Sequence, residues 1–158
     1  MKVVSDTSPI CYLILIDEFD LLASLFGSVL IPPAVESELL HPWAPAKVRQ
    51  RISQRPAWLQ VTRFPPNPKR LLLSGLHLGE RDAILLADSI AADLVILDER
   101  KARRAALRQG HRIVGLIGLL VRGAECGLLD LDQAIERLAA TNFRLDPSLI
   151  ELFRGRFP

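Results

Sequence analysis

Two aspartates, Asp6 in K-V-V-S-D-T-S-P and Asp98 in L-V-I-L-D-E-R-K, each follow a short apolar run of the kind that forms a buried strand. A carboxylate at the C-terminal end of a parallel strand stands in the crevice where open α/β sheets bind ligands. Glu80 and Asp82 fall in the first turn of the helix that precedes the Asp98 strand. Glu38 lies one position before the core residue Leu39, on the helix after the second strand. Acids from separate elements can therefore converge on one cleft. Such a cluster repels itself unless cations enter, and an oxygen-only donor set favours Mg²⁺ or Mn²⁺. No histidine stands beside these acids as a general base, which points to water activated by the metal. Each acid also has a plainer use, Glu80 and Asp82 at a helix dipole, Asp6 and Asp98 as helix N-caps, Glu38 as a solvated side chain. The joint pattern favours the metal site.

Positive charge flanks the acids. Arg100, Arg103, Arg104 and Arg108 recur at i, i+3, i+4 and i+8 on the helix that begins right after Asp98, with Lys101 beside the stripe. Arg49, Arg51 and Arg55 form a second group, Lys69 and Arg70 a third. A polyanion approaching an acidic metal site needs such flanks, because the cations attract phosphates while the metal neutralises the carboxylates. The competing use is a solvated helix face.

The elements that must position these residues alternate strand and helix. Lys2–Ser5, Val29–Ile31, Leu59–Thr62, Leu94–Leu97 and Arg112–Val114 read as strands. Helices are expected over Ser8–Leu15, around Phe19–Phe26, Pro32–Leu40, Lys47–Arg55, Gly79–Ala92, Glu99–Gln109, Leu116–Cys126, Asp132–Ala140 and Pro147–Phe153. Ser8 and Pro9 suit the N-cap and first position of the first helix. Phe64–Pro68, with three prolines, reads as a loop. Trp43 and Trp58 are expected to cover the core edge. Short strands alternating with helices imply a mainly parallel sheet covered on both faces.

The ordered set V-V-S-D-T-S, V-E-S-E-L-L, G-E-R-D-A-I-L-L-A and L-V-I-L-D-E-R-K-A resembles the PIN-domain family, and within it nucleases like the VapC toxins, over about residues 1 to 126. The resemblance implies a three-layer α/β/α domain with a central, mainly parallel sheet of about five strands, and metal-dependent cleavage of RNA. Carried over motif by motif, it makes Asp6, Glu38, Asp82 and Asp98 the catalytic acids and Mg²⁺ or Mn²⁺ ligands, with Ser8 as the polar residue trailing the first. Glu80 is an additional acid nearby, so Glu80, Asp82 or both reach the metal. After the fourth acid the family has a further Asp and a Phe, where this chain has Glu99-Arg100-Lys101. The resemblance also implies an antitoxin protein and a homodimer as partners and RNA as substrate, for which the basic stripe of Arg100, Lys101, Arg103, Arg104 and Arg108 is the expected contact surface.

With 158 residues, 49% of them hydrophobic and 24% charged, the chain has one domain's worth of sequence and the composition of an ordered fold. Residues 1–126 are expected to form the nuclease core and 127–158 a helical extension packed on it or on a partner. A net charge of +2 neither requires nor excludes nucleic acid. Cys11 and Cys126 lack ligand spacing and no signal peptide is read before Val3, so a reducing cytoplasm is expected. The apolar run Cys11–Ile16 is too short to cross a bilayer. His41, His77 and His111 share no ligand spacing. No phosphate-binding glycine loop follows the first strand, which argues against nucleoside triphosphates and dinucleotides. Two other classes remain, a PIN-like interaction module without catalysis, favoured by the altered E-R-K segment, and a metal-dependent phosphatase, disfavoured by the arginine stripe.

Overall fold

The computed structural model describes residues 1–148 and 151. Five strands form a single parallel sheet: β1 (Val3–Ser5), β2 (Val29–Ile31), β3 (Leu59–Val61), β4 (Leu94–Ile96) and β5 (Ile113–Val114), in the order β3-β2-β1-β4-β5. The helices are α1 (Thr7–Leu15), α2 (Leu21–Phe26), α3 (Pro33–Leu39), α4 (Ala46–Ser53), α5 (Leu78–Ile90), α6 (Arg100–Arg108), α7 (Leu116–Glu125) and α8 (Leu131–Ala139). None of them is long and apolar enough to cross a membrane. The last expected helix, Pro147–Phe153, lies mostly outside the described residues.

Alternation along each strand divides the core. Val3, Leu94 and Ile96 face α1, α2, α3, α4, α7 and α8, whereas Val4, Val95 and Leu97 face α5 and α6. Burial on both faces explains why the strands appear in sequence as unbroken apolar runs rather than alternating ones. The result is the three-layer α/β/α architecture.

β1 sits at the centre, with Val4 opposite Leu30 on one side and Val95 on the other. The chain builds outward through β2 and β3, then returns across β1 to add β4 and β5. That reversal makes the carboxyl ends of β1 and β4 a topological switch point, the place where doubly wound sheets leave a crevice. Asp6 directly follows β1, and its N–H still donates to Ile96 O of β4 at 3.1 Å. Asp98 stands two residues beyond β4.

Two local expectations are corrected, and one element is added to those expected. Asp6, not Ser8, occupies the N-cap of α1, which begins at Thr7; the extended backbone at Asp6 lets the helix start as soon as the sheet rung is complete. Residues 64–67 are loop as expected, and Pro68–Leu73, just beyond, forms a 3-10 helix started by Asn67, whose side chain accepts the N–H of Lys69. Trp58 packs on Phe19 with ring centroids 4.7 Å apart, but Trp43 is 89% exposed.

α8 and the residues just after it pack on the rest. Leu131, Ala134, Ile135 and Leu138 of α8 enter the larger core cluster. Arg137 donates to Ile16 O and to Glu18, which ties α8 to the end of α1. Tyr12 OH then donates to Asn142 Oδ1 at 2.7 Å, and the Tyr12 and Phe143 rings meet edge to face at 4.9 Å.

Candidate active site

Among the described residues, the only buried charged side chains are Asp6, 4% exposed, and Glu80, 8% exposed. Both line one cavity of about 450 Å³ together with Asp98, Glu99, Ser8, Tyr12, Asn142, Phe143 and Arg144. On one side it adjoins a cavity of about 610 Å³, sharing Asp6, Ser8, Tyr12 and Glu80 and adding Glu38, Thr7 and His77. On the other it adjoins one of about 540 Å³, sharing Asp98, Phe143 and Arg144 and adding Arg100 and Arg103. A groove thus runs from an acidic end, past Asp6 and Asp98, to one lined by arginines.

Each acid is set by the start of a helix. Asp6 caps α1. Glu38 reaches across from α3, accepting the Thr7 hydroxyl and, at 2.9 Å, the N–H of Gly79 near the start of α5. Glu80 turns back to accept the N–H of His77 at 3.1 Å. Asp98 Oδ1 accepts the N–H of Leu116, the first residue of α7, at 2.7 Å. Orphan N–H groups and the positive end of the helix dipole suit carboxylates. Two glycines make room for them: a Cβ on Gly79 would collide with the Glu38 carboxylate, and one on Gly115 would lie 2.9 Å from Asp98 Oδ1.

The electrostatics are those of crowded, dehydrated acids. Burial pushes the Asp6 carboxyl from an ordinary 3.8 to about 7; the Thr7 N–H opposes this, and Glu80, Glu38 and Asp98 add to it. Burial likewise raises Glu80 against the His77 N–H, and raises Asp98 against the Leu116 N–H and Arg103. Asp98 Oδ2 is buried with no hydrogen-bond partner. A buried, unsatisfied carboxylate oxygen is costly and calls for a cation or proton. As the side chains stand, no group of three or more His, Cys, Asp or Glu among the described residues could hold a metal ion. The donor chemistry nevertheless fits a hard divalent cation, being oxygen throughout, half of it desolvated, and with one oxygen unpartnered.

The expected residues are not all brought together. Asp6, Glu38 and Asp98 meet in the groove, and Glu80 stands in it with them. Asp82 lines none of the three cavities, and its Oδ1 accepts from Arg81 Nε at 3.2 Å. Two residues along a helix turn a side chain by about 200°, so Glu80 and Asp82 cannot share a face. Ser8 lines the groove without capping α1. Arg100 and Arg103 line the basic end, Arg103 donating to Leu97 O at 2.9 Å. Lys101 donates to Gly75 O, and Arg104 and Arg108 lie exposed farther along α6. The other basic groups are engaged elsewhere, Arg51 with Asp20, Arg55 with Glu36 and Lys69 with Asp88.

Thr7, Tyr12, Asn142, Phe143 and Arg144 escaped the sequence reading. Thr7 alone carried a signal, as the hydroxyl next to the strand-end acid. A family model described as a PIN domain matches residues 2–157 of the chain. Neither a curated protein nor a solved structure matches it.

Proposed function

The chain belongs to the PIN-domain family, in general metal-using nucleases that bind nucleic acid, and on that premise we propose that it is an endoribonuclease dependent on Mg²⁺ or Mn²⁺. The observation that carries this reading is the convergence of Asp6, Glu80 and Asp98 on one cavity whose neighbour is lined by arginines. Asp6, Glu38, Glu80 and Asp98 would hold the ion, with Glu80 in the place that motif order alone gives to Asp82. A divalent cation supplies Lewis-acid polarisation of a phosphoryl oxygen and activation of water.

The remaining work falls to the chain. Asp6, with a carboxyl raised to about 7, carries a proton for part of the time near neutrality, one it would give up to hold a cation. Thr7 and the Gly79 N–H fix the Glu38 carboxylate, and the Leu116 N–H fixes that of Asp98. Carboxylates held this way need little rearrangement as phosphate charge shifts. Arg100 and Arg103 draw the polyanion toward acids that would repel it without the ion. The motif order also supports a toxin role in the cytoplasm, with an antitoxin and a second copy as partners.

Side-by-side assays separate this reading from its rivals. The purified chain with Mn²⁺ should cut single-stranded RNA internally and leave a generic phosphomonoester intact. Turnover of the phosphomonoester alone would make it a phosphatase. Absence of any Mn²⁺-dependent rise in melting temperature, together with intact RNA, would make it a binding module.

A further inference from the structure

The groove has a compartment that the acids do not explain. Its walls bring Arg100 and Arg103 from the first turns of α6 together with Phe143 and Arg144, which follow α8 in the chain. Among the described residues neither Arg100 nor Arg144 is paired with a carboxylate, unlike Arg51, Arg55 and Lys69. Phe143 is half-buried and braced edge to face by Tyr12, so its ring is fixed while part of it remains open. Asp98 and Asp146 also line the compartment, and Asp98, Phe143 and Arg144 form its boundary with the acid cavity. A volume of about 540 Å³ is that of a small-ligand site.

Guanidinium groups bind phosphate through charge-assisted hydrogen bonds, and an aromatic face stacks on any base. We propose that this compartment is a nucleotide subsite, a reading that builds on the nuclease assignment above. It takes the nucleotide next to the scissile phosphate, with Arg100, Arg103 and Arg144 on its phosphate and Phe143 against its base. The shared wall at Asp98 is what makes that nucleotide the neighbour of the reacting one. The segment after α8 is then part of the substrate grip as well as a packing element.

The test is fluorescence anisotropy of a short, end-labelled single-stranded RNA with the full chain in EDTA, so that no cleavage intervenes. Arg144→Gln, at an exposed position, should weaken binding and lower the slope of log affinity against log salt by about 0.7, the value for one phosphate contact on a single strand. Phe143→Leu keeps an apolar side chain and should weaken binding by about fivefold or more at unchanged slope, with Phe143→Tyr restoring it. Wild-type affinity and slope in both Arg144→Gln and Phe143→Leu would overturn the subsite. So would failure of the wild-type chain to bind RNA, or competition by polyglutamate as effective as by unlabelled RNA, which would indicate an acidic protein ligand. Cleavage with Mn²⁺ is scored separately. A chain that binds RNA through Arg144 and Phe143 but cuts nothing keeps the subsite and loses the nuclease reading. A chain that cuts RNA, with KM in both variants equal to wild type, does the reverse.

Discussion

Oδ1 of Asp98 accepts the backbone N–H of Leu116 at 2.7 Å, while Oδ2 of the same carboxylate is buried without a partner. The start of α7 thus anchors an acid delivered by β4, and only one of its oxygens is committed. Gly115 permits this closeness, since a Cβ there would lie 2.9 Å from Asp98 Oδ1 and 2.6 Å from Arg103 Nη1. Gly79 does the same for Glu38 at the start of α5.

Gly115→Ala and Gly79→Ala should therefore each lower RNA cleavage, by about 10- to 100-fold, the range seen when groups orienting metal ligands are disturbed. Both sites have ordinary negative-φ backbone, so the chain can still fold. Cleavage rates measured beside thermal melts check this. Wild-type rates in both variants would show that the glycines do not position the acids.

The raised carboxyl of Asp6 gives the metal-free chain a characteristic pH dependence. Between 3.8 and about 7 the folded chain retains a proton that the unfolded chain has released. Stability conferred by that proton is complete below this window and is lost as pH rises through it. Asp6→Asn has no carboxyl to ionise and should melt higher than wild type at pH 8 by about 5 °C, the difference closing toward pH 4. Mn²⁺ should stabilise the wild type more at pH 8 than at pH 5, and Asp6→Asn little at either. Parallel melting profiles for the two proteins across this range would contradict the assignment.

Glu80 and Asp82 differ in ways that a substitution pair exposes. Glu80→Gln removes a carboxylate from the groove and should cut both Mn²⁺-dependent stabilisation and RNA cleavage sharply. Asp82→Asn loosens a contact with Arg81 outside the three cavities and should leave both within about twofold of wild type. The opposite ranking would return the third ligand position to Asp82.

Much of this architecture was legible in the sequence for a physical reason. Strands buried on both faces leave unbroken apolar runs such as Val29–Ile31 and Leu94–Leu97, and an Asp closing such a run falls at the sheet's carboxyl edge. The choice between Glu80 and Asp82 was not legible, because both lie near the start of α5 and only its rotation against Glu38, set where Gly79 allows contact, decides which faces inward. The Asn142–Arg144 wall was hidden as well. It is placed by Tyr12, 130 residues away from Asn142, and no local pattern encodes such a contact. The loop marked by the prolines from Phe64 was legible, but the 3-10 helix that Asn67 starts directly after it was not.

The chain beyond residue 126 should be energetically part of the fold. Leu138 is fully buried in the larger core cluster, so Leu138→Ala should cost about 2–5 kcal/mol. Urea unfolding followed by far-ultraviolet circular dichroism should show one cooperative transition, shifted to lower midpoint. A loss below about 1 kcal/mol would mean that α8 is an appendage.

The decisive measurement is single-turnover cleavage of labelled RNA by wild type and Asp98→Asn at neutral pH, each with Mn²⁺ and with EDTA. Asparagine keeps an oxygen for the Leu116 N–H, so the fold is retained while the free carboxylate charge is lost. The acids-and-metal account predicts cleavage by wild type with Mn²⁺, none in EDTA, and a rate at least about a hundredfold lower in Asp98→Asn. Equal rates for the two proteins, or cleavage that persists in EDTA, would contradict it.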